Sequence, residues 1–124
     1  MLNQDVFGEL IYSYTRTQAI DDGELVDVST VAQEAGIKFP IALTRAVWEK
    51  YVEVPEGVTC QDVNGRLWDI VWMFKKQIQT GDQMKFKVYV RNTNGRPKLE
   101  TLKAVCGPGD DPEPVITIML PEED

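Results

Sequence analysis

The chain contains no histidine. That absence removes the Ser-His-Asp and Cys-His systems, which need imidazole to carry the proton between nucleophile and leaving group. It also removes every zinc site with a His ligand, and the two cysteines, Cys60 and Cys106, are too few for an all-Cys site. Any catalysis would fall to carboxylates, Tyr, Lys, Arg or backbone dipoles, and no catalytic residue, metal site or cofactor is expected. Long apolar runs are missing too, since no stretch approaches the roughly 20 residues of a membrane-spanning helix. The opening Met1-Leu-Asn-Gln-Asp-Val-Phe7 has neither the basic nor the apolar block of a signal peptide. A cytoplasmic protein is expected, with both cysteines as free thiols and no membrane partner. Internal repeats, low-complexity tracts and an interdomain linker are likewise absent.

With 124 residues and 43% apolar content, the chain suits one domain, 1–124, with a real core. The net charge of −7 conceals a partition. Residues 1–65 carry four bases and eleven acids, residues 66–103 nine bases and three acids, and residues 104–124 six acids and no base. A basic middle between acidic ends implies either internal pairing or two surfaces of opposite sign.

Residues 7–14 alternate as a strand. Thr15 is placed to cap a short helix through Ile20, and Asp21-Asp22-Gly23 stops it. A strand over 25–28 follows, then a helix capped by Ser29 or Thr30 and ended by Gly36. Residues 40–43 read as extended, and Thr44 caps a helix to about Val52. Asn64-Gly65 is a two-residue hairpin signal between 58–63 and Arg66 onward. The stretch 67–74 is apolar nearly all round, and a short strand passing into a helix that ends near Thr80 is expected. Residues 84–91 alternate, with Met84, Phe86, Val88 and Val90 inward. Asn94-Gly95 marks a second hairpin, and strands over 99–106 and 115–120 complete the chain. This order predicts an α+β domain, mostly antiparallel, with three to four short helices.

The densest cluster of turn residues and charge lies near the C-terminus. Gly107, Gly109, Asp110, Asp111 and Glu113 form a Gly/Pro-rich acidic loop, and Glu122, Glu123 and Asp124 end the chain. Together they are the candidate partner-binding surface, suited to a basic partner. Cys106 enters this loop and is expected to be buried and inert, because Lys103 would lie on the opposite strand face. The alternative surface is basic: Lys85, Lys87, Tyr89, Arg91, Arg96 and Lys98, with an exposed aromatic among cations, the pattern that tracks RNA or single-stranded DNA. Trp48, Trp68 and Trp72 are expected in the core.

Two resemblances add to these readings. Tyr12, Tyr14, Thr15 and Arg16, followed by Gln18 and Asp21-Asp22-Gly23, resemble the opening of ADP-ribosyltransferase-like folds. That likeness implies a nucleotide-cofactor enzyme whose cleft would unite Tyr14, Arg16, Asp69 and the loop 107–111. The phrases Ser13-Tyr-Thr-Arg16, Asp22-Gly-Glu-Leu-Val-Asp-Val-Ser29, Pro40-Ile-Ala-Leu-Thr44, Gln61-Asp-Val-Asn-Gly-Arg-Leu-Trp-Asp69, Lys103-Ala-Val-Cys-Gly-Pro-Gly-Asp110 and Pro114-Val-Ile-Thr-Ile-Met-Leu-Pro121 resemble an uncharacterised family of short proteins carried on bacterial plasmids, conjugative elements and phages. The likeness covers nearly the whole chain. It implies a mobile-element accessory protein that binds a host protein or a nucleic-acid-handling complex.

Overall fold

The architecture comes from a computed structural model that describes residues 15–123. The expected strand over 7–14, with Tyr12 and Tyr14, and the terminal Asp124 lie outside the described residues. Among the described residues, four helices and a five-stranded sheet follow in the order α1 (Arg16–Asp22), β1 (Leu25–Asp27), α2 (Ser29–Glu34), β2 (Ile41–Thr44), α3 (Arg45–Val47), α4 (Val63–Gln77), β3 (Gln83–Val90), β4 (Lys98–Pro108) and β5 (Pro114–Met119). The spatial order is β1-β2-β5-β4-β3. Only β2 and β5 run parallel, so the fold is α+β and mostly antiparallel, as the sequence predicts.

Local signals explain most element ends. Thr15 caps α1, its hydroxyl accepting from Gln18 N, while Gln18 Oε1 accepts from Thr15 N in return. Gly23 ends the helix at φ 81°, a left-handed conformation that glycine adopts without strain. Thr44 caps α3 through Val47 N. Beyond α3 the helix widens into one π turn, Trp48–Val52, closed by Glu53 N donating to Trp48 O. The α2 start differs from expectation: Val28 is the N-cap and makes no side-chain cap bond, and Asp27 before it accepts from both Ser29 N and Ser29 Oγ.

The Asn64-Gly65 hairpin expectation is overturned. Both residues lie in the first turn of α4, where Asp62 is the N-cap and accepts from Gly65 N at 2.7 Å. A turn dipeptide makes a hairpin only if both flanks extend, and here the downstream flank has a helical apolar period. Leu67, Ile70, Val71 and Phe74 are buried along one side of α4, so 67–74 contains no strand, and the helix ends at Gln77 rather than near Thr80. By contrast, Asn94-Gly95 does lie between paired strands, in the connection 91–97 of β3 and β4.

The core lies between α4 and one face of the sheet. Phe86 and Val88 of β3, Leu102 and Ala104 of β4, Ile116 and Ile118 of β5, and Ile41 and Leu43 of β2 point to this face. Phe74 meets Phe86 edge to face, with ring centroids 5.5 Å apart. The opposite face carries α1 at the β1–β5 side. Towards β3 it bears Lys85, Lys87 and Tyr89.

Candidate functional site

The β4–β5 hairpin builds the acidic tip. Pro108 pairs with Pro114, and Gly109 N donates to Glu113 O at 3.0 Å to close the turn. A Cβ on Gly109 would stand 2.9 Å from Val115 Cγ1, so this position must stay small. Asp110 then reaches across to α1. Its carboxylate accepts from Arg16 N (2.7 Å), Thr17 N (3.1 Å) and Thr17 Oγ1 (2.6 Å). With Thr15 accepting from Gln18 N, the first-turn donors of α1 are satisfied by two side chains from opposite ends of the chain. The Thr17 hydroxyl, followed by the two backbone N–H groups, holds the Asp110 carboxyl below the usual carboxylate range.

Arg16 extends the tie from helix to sheet. Its guanidinium donates to Thr117 Oγ1 (2.8 Å) and to the Ile116 carbonyl (2.9 Å) of β5. Burial lowers its pKa first, and the charges of Asp27 and Asp110 act in the opposite sense. Beside this tie lies an open cleft of about 610 Å³, lined by residues that include Arg16, Ala19, Leu25, Gly107, Asp110 and Thr117. Asp69 does not join them. It sits on α4, which covers the other face of the sheet, and Tyr14 is outside the described residues. The cleft thus unites Arg16 with the Gly107–Asp110 stretch and leaves the proposed cofactor constellation incomplete.

The seven described residues of the candidate acidic surface separate into three situations. Asp110 is consumed by the α1 cap. The side chains of Asp111 and Glu113 are exposed at the tip with no hydrogen-bond or ion-pair partner among the described residues, flanked by Gly107 and Gly109. The tail begins at the far end of β5, roughly 20 Å from the tip by strand length. There Glu123 accepts from Thr44 Oγ1 (2.8 Å) and Leu120 N (2.7 Å), and its carbonyl accepts from Lys103 Nζ. Only Glu122 of the described tail is exposed and unengaged. Tip and tail are therefore two places, not one surface.

The basic candidates divide as well. Lys85, Lys87 and Tyr89 project from the outer face of β3, and Tyr89 is 65% exposed. Lys85 stands directly opposite Lys103 in the ladder, a like-charge pairing on one face. Arg91 instead braces its connection, donating to Thr59 O (2.6 Å), Gly95 O and Asn94 Oδ1. Lys98 pairs with Val90 and so belongs to the other face, while Arg96 lies exposed in the connection.

Both cysteines are free. Cys106, half-buried, lines an apolar cavity of about 190 Å³ with residues such as Phe39, Ile78 and Met84. Among the described residues no group of three or more His, Cys, Asp or Glu is placed to hold a metal ion, and no helix is long and apolar enough to cross a membrane. Trp68 and Trp72 correct another expectation. Each is 36% exposed on the outer side of α4, because Leu67, Ile70, Val71 and Phe74 occupy the inner side. Trp48 packs partly buried against the core.

Sequence reasoning missed Arg66. It is 5% exposed and donates to the carbonyls of Val52 (3.1 Å) and Arg91 (2.8 Å), and to Asn92 Oδ1 and Gln61 Oε1. One cation thereby ties the π turn, α4 and the β3–β4 connection together. Its helical offset from Ile70 was the available signal, hidden while Asn64-Gly65 read as a hairpin.

The chain belongs to a family of unknown function (DUF6573), which it matches over residues 1–124. No curated protein and no solved structure matches it.

Proposed function

We propose that this chain is a non-enzymatic binding module that docks onto a basic surface of another protein through its acidic hairpin tip. One observation carries the reading. Asp110 anchors the tip to α1 by three hydrogen bonds, while the carboxylates of Asp111 and Glu113 beside it stay exposed and unpartnered among the described residues. A loop held in this way loses little conformational freedom on binding, so more of the interaction energy appears as affinity. Its charges act chiefly on encounter rate and partner choice. The likeness to proteins of plasmids, conjugative elements and phages supports an accessory role in which the partner is a host protein or nucleic-acid-handling complex.

The test must spare the anchor. Asp111→Lys with Glu113→Lys, Asp110 retained, is expected to lower the association rate with the captured partner about tenfold. The partner is first identified by tagged capture from host lysate, with and without nuclease. Capture that survives nuclease and is indifferent to the double reversal sinks the proposal.

A second reading is favoured by one feature. Lys85 and Lys87 project together with the exposed Tyr89 from one face of the edge strand β3, and neither ammonium has a partner among the described residues. RNA or single-stranded DNA on this face would be released steeply by salt and lost in Lys85→Glu with Lys87→Glu. Binding of a labelled oligonucleotide that does not respond to either would dismiss this alternative.

A further inference from the structure

The outer side of α4 carries a stacked aromatic pair. The Trp68 and Trp72 rings lie 5.7 Å apart, centroid to centroid, and are inclined by 13°. The two ends of this stack differ. Over Trp72 stand the chain's own cations, Lys75 Nζ at 5.3 Å and Lys76 Nζ at 5.7 Å from the ring centroid. Trp68 instead borders an open groove of about 550 Å³, lined by Val31, Glu34, Asn64, Gly65, Trp68 and Asp69. Helical side chains lean towards the N-terminus, which places Trp68 over the turn of Asn64 and Gly65, where glycine leaves space beside the ring. Neither the Glu34 nor the Asp69 side chain has a hydrogen-bond or ion-pair partner among the described residues. Asp69 is exposed overall, and partial desolvation of its carboxyl raises the pKa, with no counter-charge to oppose it.

We propose that the Trp68 groove is a binding site for a cationic side chain, an arginine presented by a basic segment of a partner protein. The chemistry is complementary on three counts. An indole ring attracts a cation over its face. Two unpaired carboxylates supply opposite charge at the rim. A planar guanidinium can stack on the ring while its N–H groups reach a carboxylate. The same carboxylates repel phosphate, so a nucleic-acid backbone does not suit this groove. Lys75 and Lys76 show the stack already accepting cations at its other end. The site is separate from the hairpin tip and stands whether or not the tip is a docking element.

The indole N–H signals of ¹⁵N-labelled protein provide the test, with Trp68→Phe assigning the Trp68 peak. The probe is the capped tripeptide Gly-Arg-Gly, and the control replaces arginine by neutral, isosteric citrulline. The arginine peptide is expected to shift the Trp68 signal saturably, and the citrulline peptide to leave it in place. Glu34→Gln with Asp69→Asn alters exposed side chains, and the backbone spectrum verifies the fold. This variant is expected to weaken the arginine response about tenfold, two modest charge contacts together. Asp111→Lys with Glu113→Lys is expected to leave it unchanged, so the two readings fail separately. Three outcomes would overturn the proposal: no saturable Trp68 shift at tens of millimolar peptide, an equal shift from citrulline, or indifference to the Glu34/Asp69 variant. A Trp68 shift produced by oligothymidylate and not by the peptide would overturn it too, and would assign the stack to nucleobases.

Discussion

Asp110→Asn removes the negative charge that accepts three hydrogen bonds at the start of α1 while keeping the size of the side chain. The folded pKa of Asp110 lies below the usual value of about 3.9, so its contribution is present above that pH and fades as pH falls through the folded pKa. The variant should therefore melt a few degrees below the wild type from neutral pH to about pH 5, with the gap closing below about pH 4. Thermal melts across that range check both the sign and the window. Arg66 sets a larger effect. Arg66→Ala strands the Val52 and Arg91 carbonyls, and each buried unsatisfied group costs on the order of 1–3 kcal/mol. A total loss of about 3 kcal/mol is expected in urea unfolding. Arg66→Lys should recover little, because one ammonium cannot copy the planar fork that spans Val52, Arg91 and Asn92. Recovery by lysine would show that charge, not fork geometry, is what the site needs.

At the scale of elements, the free edge of β3 is where a fold of this kind is exposed to unwanted pairing. Gln77, the last residue of α4, blocks it: its side chain accepts from Lys87 N (2.9 Å) and donates to Lys87 O (2.7 Å), imitating a neighbouring strand. Gln77→Ala should cost about 1 kcal/mol, speed amide exchange at Lys87, and promote concentration-dependent association seen by light scattering. Unchanged exchange at Lys87 would mean that the edge is protected by something else. What the sequence made legible follows from the range of each interaction. The alternation of 84–91 reports a half-buried strand directly, and the Thr15 and Thr44 caps act within three residues, so all three could be read locally. Asn64-Gly65 and Asn94-Gly95 look alike locally, and only the Asp62 cap and the apolar period downstream separate a helix start from a strand connection. The role of Asp110 was beyond such reading, because Thr17 lies 93 positions away. The partition of the basic candidates was hidden for the same reason: Arg91 is spent on Thr59, a contact across 32 positions.

On the scale of the whole molecule, the three charge blocks separate along the sheet. β5 inserts between β2 and β4, so the strands of the acidic first and last blocks are neighbours, while β3 and the start of β4 carry the basic block at the other edge. Among the described residues, no ion pair joins the basic block to either acidic block, and the Arg45–Glu24 pair (3.4 Å) lies within the first. A molecule polarised in this way distinguishes the two functional readings by opposite responses to one variant. Lys85→Gln with Lys87→Gln removes two exposed charges from the basic edge and leaves the acidic tip intact. If the partner is a basic protein surface that meets the tip, this change removes long-range repulsion, and association should quicken about two- to fivefold at low salt, with little change in dissociation. If the partner is a nucleic acid on the Tyr89 face, the same change should slow association and flatten the salt dependence by about two phosphate contacts. Stopped-flow association at two ionic strengths separates these outcomes. Near 0.15 M salt the Debye length is about 8 Å, so the acceleration should largely vanish there, whereas a direct Lys–phosphate contact would still be missed.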